Sequence, residues 1–127
     1  MDESLVNHID MLDKNYISGY NCMGYALGFK KWLLVYNSYE ETAKMLEEHY
    51  PLKPVKRKDM KLGRKYIAYR YGRQDFHFVK RDRNGNWSHK RGSHKPEAIS
   101  KKEVFSNKWI NGNIVYNSKL YLYEVLA

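Results

Sequence analysis

Cysteine, acidic residues in one region, and long apolar runs are what this 127-residue chain has least of. A single cysteine, Cys22, excludes an intramolecular disulfide framework and fits a reducing compartment. The longest apolar run, Trp32 to Tyr36, is far short of the roughly 20 residues that span a bilayer as a helix. The start, Met1-Asp2-Glu3-Ser4, lacks the basic beginning and apolar centre of a signal peptide. A cytoplasmic chain is therefore expected, reaching another compartment only by lysis or a special secretion route. Repeats, low-complexity segments and a linker between two halves are also missing. One domain over 1–127 is expected, with 1–14 as a short helix or an N-terminal arm.

What is present is a globular composition, 43% hydrophobic and 29% charged, with twelve tyrosines. The net charge of +9 is uneven. Residues 53–73 hold nine Lys/Arg against Asp59 alone, whereas residues 1–50 are acidic. Lys56, Arg57, Lys58, Lys61, Arg64 and Lys65 form the densest part of this run. They are candidates for binding an anion such as nucleic acid or an acidic protein. A solvated face that keeps a small protein soluble is the plainer account of them.

Tyr20-Asn21-Cys22-Met23-Gly24-Tyr25-Ala26-Leu27-Gly28 sets the cysteine at the head of an apolar segment that reads as a buried helix. A thiol at a helix start feels unpaired N–H groups and the positive end of the dipole, which favour the nucleophilic thiolate. The plainer account is a small buried hydrophobe. The helix is expected to run to about Asn37, with Gly24 and Gly28 each weakening it by about 1 kcal/mol while letting another backbone approach.

Ser38-Tyr39-Glu40-Glu41 is a capping box that opens a second helix, and Pro51 stops it. Pro51 to Gly63 reads as a basic connector. Alternation then marks strands over Tyr66 to Tyr71, Asp75 to Lys80 and Trp87 to Lys90, the last two joined by the hairpin signal Arg83-Asn84-Gly85-Asn86. Residues 91–99 read as an irregular basic loop. Ser100-Lys101-Lys102-Glu103 caps a short helix, Asn111-Gly112-Asn113 turns, and Lys119 to Leu126 alternates as the final strand. The fold class is α+β, N-terminal helices packed on an antiparallel β-sheet.

Two patches are similar to a known family. Asn21-Cys22-x-x-Tyr25-Ala26-Leu27, and Asp75-x-His77-Phe78-x-Lys80-x-Asp82-x-x-Gly85-x-Trp87-Ser88-His89-Lys90-x-Gly92, resemble papain-like cysteine peptidases. The branch is a small bacterial and phage one related to the NlpC-like cell-wall endopeptidases and amidases. The resemblance implies a papain-like fold, a thiol hydrolase acting on a peptide or protein substrate without a cofactor, Cys22 as nucleophile and His77 as general base. It implies His89 as the residue that orients the base, as in the NlpC-like branch, or Asn86 as in other papain-like enzymes. The oxyanion hole would combine the Cys22 N–H with a nearby donor. No glutamine stands before Cys22, and Asn15, Tyr16, Tyr20 and Asn21 are the nearest candidates.

The residues themselves bear on the third member. A two-residue turn at Asn84-Gly85 pairs Lys80 with His89 and puts Asn86 on the face of His77. A glycine-bulge turn pairs Val79 with His89 and sets His89 diagonally beside His77. The family spacing favours the second. His77 shares a face with Asp75 and Val79, and the cysteine helix is expected to cover that face. A metal held by Cys22, His77, His89 and His94 is the next alternative, but no pair has structural-zinc spacing. His8 and His49 read as surface residues. Two other functions fit the chain: a small basic binding protein without catalysis, such as a phage-encoded inhibitor of a host protein or nucleic-acid-processing system, and a toxin or effector using the same thiol chemistry.

Overall fold

The computed structural model of the chain describes residues 19–33 and 38–126. The N-terminal arm, His8, Asn15, Tyr16 and the segment 34–37 lie outside the described residues. Helix α1 (Cys22–Leu27) is much shorter than the expected run to Asn37. Gly28 ends it in the left-handed region at φ 82° and donates back to the Gly24 carbonyl. The chain then returns along the helix. The Asn21 side chain caps α1 by accepting from Gly24 N–H, accepts again from Leu33 N–H, and donates to the Leu33 carbonyl at 2.7 Å. A Cβ on Gly24 would meet the Lys31 carbonyl oxygen at 2.2 Å, so only glycine admits the returning strand of chain.

Helix α2 (Tyr39–His49) is capped by Ser38, which accepts from Glu41 N–H at 3.1 Å, and buries Thr42, Ala43 and Leu46. The basic connector contains more structure than alternation revealed: strand β1 (Leu52–Pro54) and a 3-10 turn at Arg57–Asp59. Strands β2 (Tyr66–Tyr71), β3 (Phe76–Arg81) and β4 (Trp87–His89) follow. Inside the expected loop lies β5 (Glu97–Ala98), then the short helix α3 (Lys101–Val104). The turn at Gly112 joins β6 (Trp109–Asn111) to β7 (Ile114–Tyr116), and β8 (Tyr121–Val125) closes the fold. The main sheet is antiparallel in the order β1-β8-β2-β3-β4-β5, and β6-β7 form a separate hairpin. The molecule is α+β. Among the described residues no helix is long and apolar enough to cross a membrane.

The sheet separates two cores. On one face α1 and α2 pack Met23, Ala26, Leu27, Ala43 and Leu46 against Ile67, Tyr69, Phe78 and Tyr123. On the other, Ala68, Val79 and Leu122 meet Val104, Trp109 and Tyr116 from α3 and the small hairpin. The β3 residues alternate between them, which places His77 on the second face with Val79. This corrects the expectation that the cysteine helix covers the face of His77. The helix takes the Phe78 face because its apolar stripe needs an apolar partner, and the other face of β2 and β3 carries the buried polar groups Arg70, His77 and Arg81.

Candidate active site

The β3–β4 hairpin adopts the bulged register. Asp82 N–H donates to the Asn86 carbonyl, Gly85 has φ 90°, and Val79 pairs with His89. His89 therefore lies diagonally beside His77 on the same face. His77 Nε2 and His89 Nδ1 are 2.8 Å apart. The same register turns Asn86 away. It is exposed at the hairpin, its N–H donating to the Asp82 carboxylate, and the structure does not bring it to the site.

Cys22 and His77 come from opposite faces of the sheet and line one cleft at its end. The β3–β4 ladder stops at the Val79–His89 pair. Beyond it, Phe76 and His77 on one side and Arg91 and Gly92 on the other line a cleft of about 930 Å³ that also receives Cys22, Asn21, Trp32 and Tyr116. Thiol and imidazole share this cleft, and no hydrogen bond links them. A second cleft, about 410 Å³, lies beyond His77 and is lined by His89, Glu97, Glu103 and Trp109.

The imidazole side is tightly held. Trp109 stands edge-on to the His77 ring at 6.0 Å, and the Tyr116 ring lies 5.5 Å away. Tyr116 in turn donates its hydroxyl to Asp75 at 3.3 Å. Arg70 lies over the Trp109 indole at 5.3 Å and donates to the Ser106 and Ser118 carbonyls, which fixes that wall. His89 Nε2 is 3.5 Å from Glu97 Oε1, and Arg91 forms an ion pair with the same carboxylate.

Burial favours the neutral form of both the Cys22 thiol and the His77 imidazole. Burial pushes the Cys22 thiol up to about 12; the Phe78 backbone N–H opposes this and the Asp75 charge adds to it. This corrects the expectation of thiolate at the helix start. A helix of six residues carries a small dipole, and the thiol, only 6% exposed, has lost its water. Burial, reinforced by His89 and Arg91, brings His77 down to about 3. His89 is also held below the ordinary histidine value, by burial first, with the Glu97 charge working the other way.

Of the two expected oxyanion donors, only Asn21 is engaged elsewhere. The Asn21 amide is spent on its cap and on Leu33. The Tyr20 hydroxyl is buried without a hydrogen-bond partner, and its ring lies 4.5 Å from Lys90 Nζ. With Gly24 and Tyr25 N–H bonded to Asn21, the first-turn donors left are those of Cys22 and Met23.

Sequence reasoning missed four contributors. Lys90 is 0% exposed and donates its ammonium to the Tyr20 and Gly92 carbonyls, tying the end of β4 to the segment before Cys22. Its place one residue past His89 was the available signal, since alternation turns it toward the cysteine helix. Glu97, Trp109 and Tyr116 sit on strands of two or three residues, too short for periodicity to reveal.

Of the candidate metal ligands, His94 is exposed at the cleft beside Lys95. Among the described residues no group of three His, Cys, Asp or Glu is disposed to hold a metal. His49 is exposed on α2. The basic candidates lie elsewhere. Lys56, Lys58 and Lys61 line an open groove with Lys53, Asp59 and Glu124. Arg57 lies 4.0 Å over the Phe105 ring, Arg64 pairs with Glu124 at 3.0 Å, and Lys65 is half-buried. No protein-family model, curated protein or solved structure matches this chain.

Proposed function

We propose that this chain is a thiol hydrolase of the papain-like, NlpC-like kind, cleaving a peptide or amide bond with Cys22, His77 and His89. The observation that carries the reading is the 2.8 Å contact between His77 Nε2 and His89 Nδ1 beside a cleft that also contains the only cysteine. With Nε2 engaged, Nδ1 is the nitrogen left for the thiol. A neutral imidazole is the form a general base needs.

In the reaction the sulfur attacks the substrate carbonyl carbon as the S–H proton passes to His77. The carbonyl π electrons move to oxygen, where the Cys22 N–H donates to the oxyanion. Collapse breaks the C–N bond, the amine leaves with the proton from His77, and a thioester remains. Water then attacks the thioester with His77 taking its proton. The acid departs and the thiol is restored. The exposed Trp32 and the half-buried Leu33, which line the same cleft, supply apolar contact for a peptide side chain.

The test is a chromogenic acetyl ester followed by mass spectrometry. A stoichiometric burst of leaving group, with an acetyl thioester on the Cys22 peptide that disappears in His77→Ala, supports the reading. No acyl adduct, or one indifferent to His77, overturns it.

A second reading rests on the groove of Lys53, Lys56, Lys58 and Lys61 at the β1 edge: a basic binding protein for nucleic acid or an acidic protein, with or without the chemistry. Binding of single- or double-stranded nucleic acid that weakens steeply with salt and survives Cys22→Ala favours it.

A further inference from the structure

Beyond Cys22, His77 and His89, we propose that Glu97 is a positioning residue that sets the direction of the proton along His89 and His77, leaving His77 Nδ1 bare to accept the thiol proton.

The argument needs only hydrogen-bond valence. An ionised carboxylate accepts and cannot donate. The His89 nitrogen that faces Glu97 is Nε2, in an ion-pair contact at 3.5 Å, which favours a hydrogen on that nitrogen. A neutral imidazole has one N–H, so His89 Nδ1 carries a lone pair. It lies 2.8 Å from His77 Nε2, which must then be the donor. The one remaining nitrogen, His77 Nδ1, is a lone pair. Without Glu97, the His77–His89 contact is satisfied equally well with the proton on His89. His77 would then present N–H at Nδ1 and could not act as a base.

The surroundings agree with this direction. The groups acting on His89 are His77 from β3, Arg91 just after β4, Glu97 from β5 and Glu103 from α3. Glu97 and Glu103 favour a proton on His89, and Arg91 opposes it while being paired to Glu97. When His77 takes the thiol proton, the positive charge is shared toward His89 and ends against Glu97. An orienting carboxylate of this kind is what keeps a catalytic imidazole in its useful tautomer elsewhere.

The inference rests on His77 being the base, yet its test does not depend on turnover. Long-range nitrogen–proton NMR of the imidazoles in the full chain at neutral pH reads the tautomers directly. The expected result is Nε2–H on both rings in the parent, and a mixture on His89 and His77 in Glu97→Ala. A parent with Nδ1–H on His89, or tautomers unmoved in Glu97→Ala while its amide spectrum stays folded, overturns the proposal. The parent spectrum decides even if Glu97→Ala fails to fold. Ester acylation of Cys22 should fall at least about tenfold in Glu97→Ala. If the tautomers are as proposed and the parent never acylates, the hydrolase reading fails and the Glu97 assignment stands. If acylation depends on Cys22 and His77 but the tautomers are reversed, the opposite holds.

Discussion

The two halves of the site are built to different standards. The imidazole half is complete: His77 is bonded to His89 at 2.8 Å, walled by Trp109 and Tyr116, and followed outward by Glu97 and Arg91. The thiol half is buried, neutral and unbonded to the imidazole, and is held in place from behind by Asn21 and Lys90. The difference teaches where the work of activation falls. The His77 ring is oriented by its own neighbours before anything binds. The Cys22 thiol has lost its water and gained no compensating charge, so in the proposed reaction its proton leaves during attack rather than before it.

The largest test of that contrast removes each half. Cys22→Ala should reduce ester acylation to background, and His77→Ala should lower its rate by about 10²–10⁴, read from the burst of chromophore. A smaller loss in His77→Ala would show that the oriented half is idle. Next, iodoacetamide at pH 8 should label native Cys22 roughly 10²–10³ times more slowly than the urea-unfolded chain, because burial holds the thiol near 12. A native rate equal to or above the unfolded one would reverse the ranking of the halves.

Lys90→Met tests the support behind Cys22. It orphans the buried Tyr20 carbonyl and the half-buried Gly92 carbonyl. Stability should fall by about 2–4 kcal/mol, measured by urea midpoint, while Lys90→Arg should lose less if the guanidinium reaches the same oxygens. The smallest effect is in pH. A histidine whose folded value lies below its unfolded value binds its proton first in the unfolded chain. Stability is then fully present above the unfolded value and declines as pH falls. For His77 the window runs from about 6.5 down to about 3, with a slope approaching 1.4 kcal/mol per pH unit. Urea melts at pH 7 and pH 5 should show this decline in the parent and a smaller one in His77→Gln, where His89, also held below its ordinary value, remains.

How much was legible follows from the range of each interaction. Capping boxes at Ser38 and Ser100 are local, and both hold as drawn. The hairpin register rests on a glycine in a turn, and the bulged alternative set His89 beside His77. The reach of α1 was misread because Trp32 to Tyr36 continues its apolar character, while the stop at Gly28 depends on the distant grip of Asn21 on Leu33. The face of the sheet that α1 covers was also misread. Alternation assigns His77 to a side but does not say which element arrives there, and the competition between Phe78 and the polar face settles that in three dimensions. Glu97 was out of reach for the same reason: its meaning is a distance to His89, and its strand has two residues.

That strand has a further consequence. β5 is the last strand of the sheet, joined to β4 by the Ser88–Ala98 and His89–Glu97 pairs and, just past its end, by the Ile99 N–H donating to the Trp87 carbonyl. Edge segments this short open at a small fraction of the free energy that unfolds a whole domain. Each such opening would carry Glu97 away from His89 and let the imidazole pair reverse. The competence of the base would then blink on and off with the fraying of one short edge, at a rate that amide exchange at Glu97 and Ala98 can time.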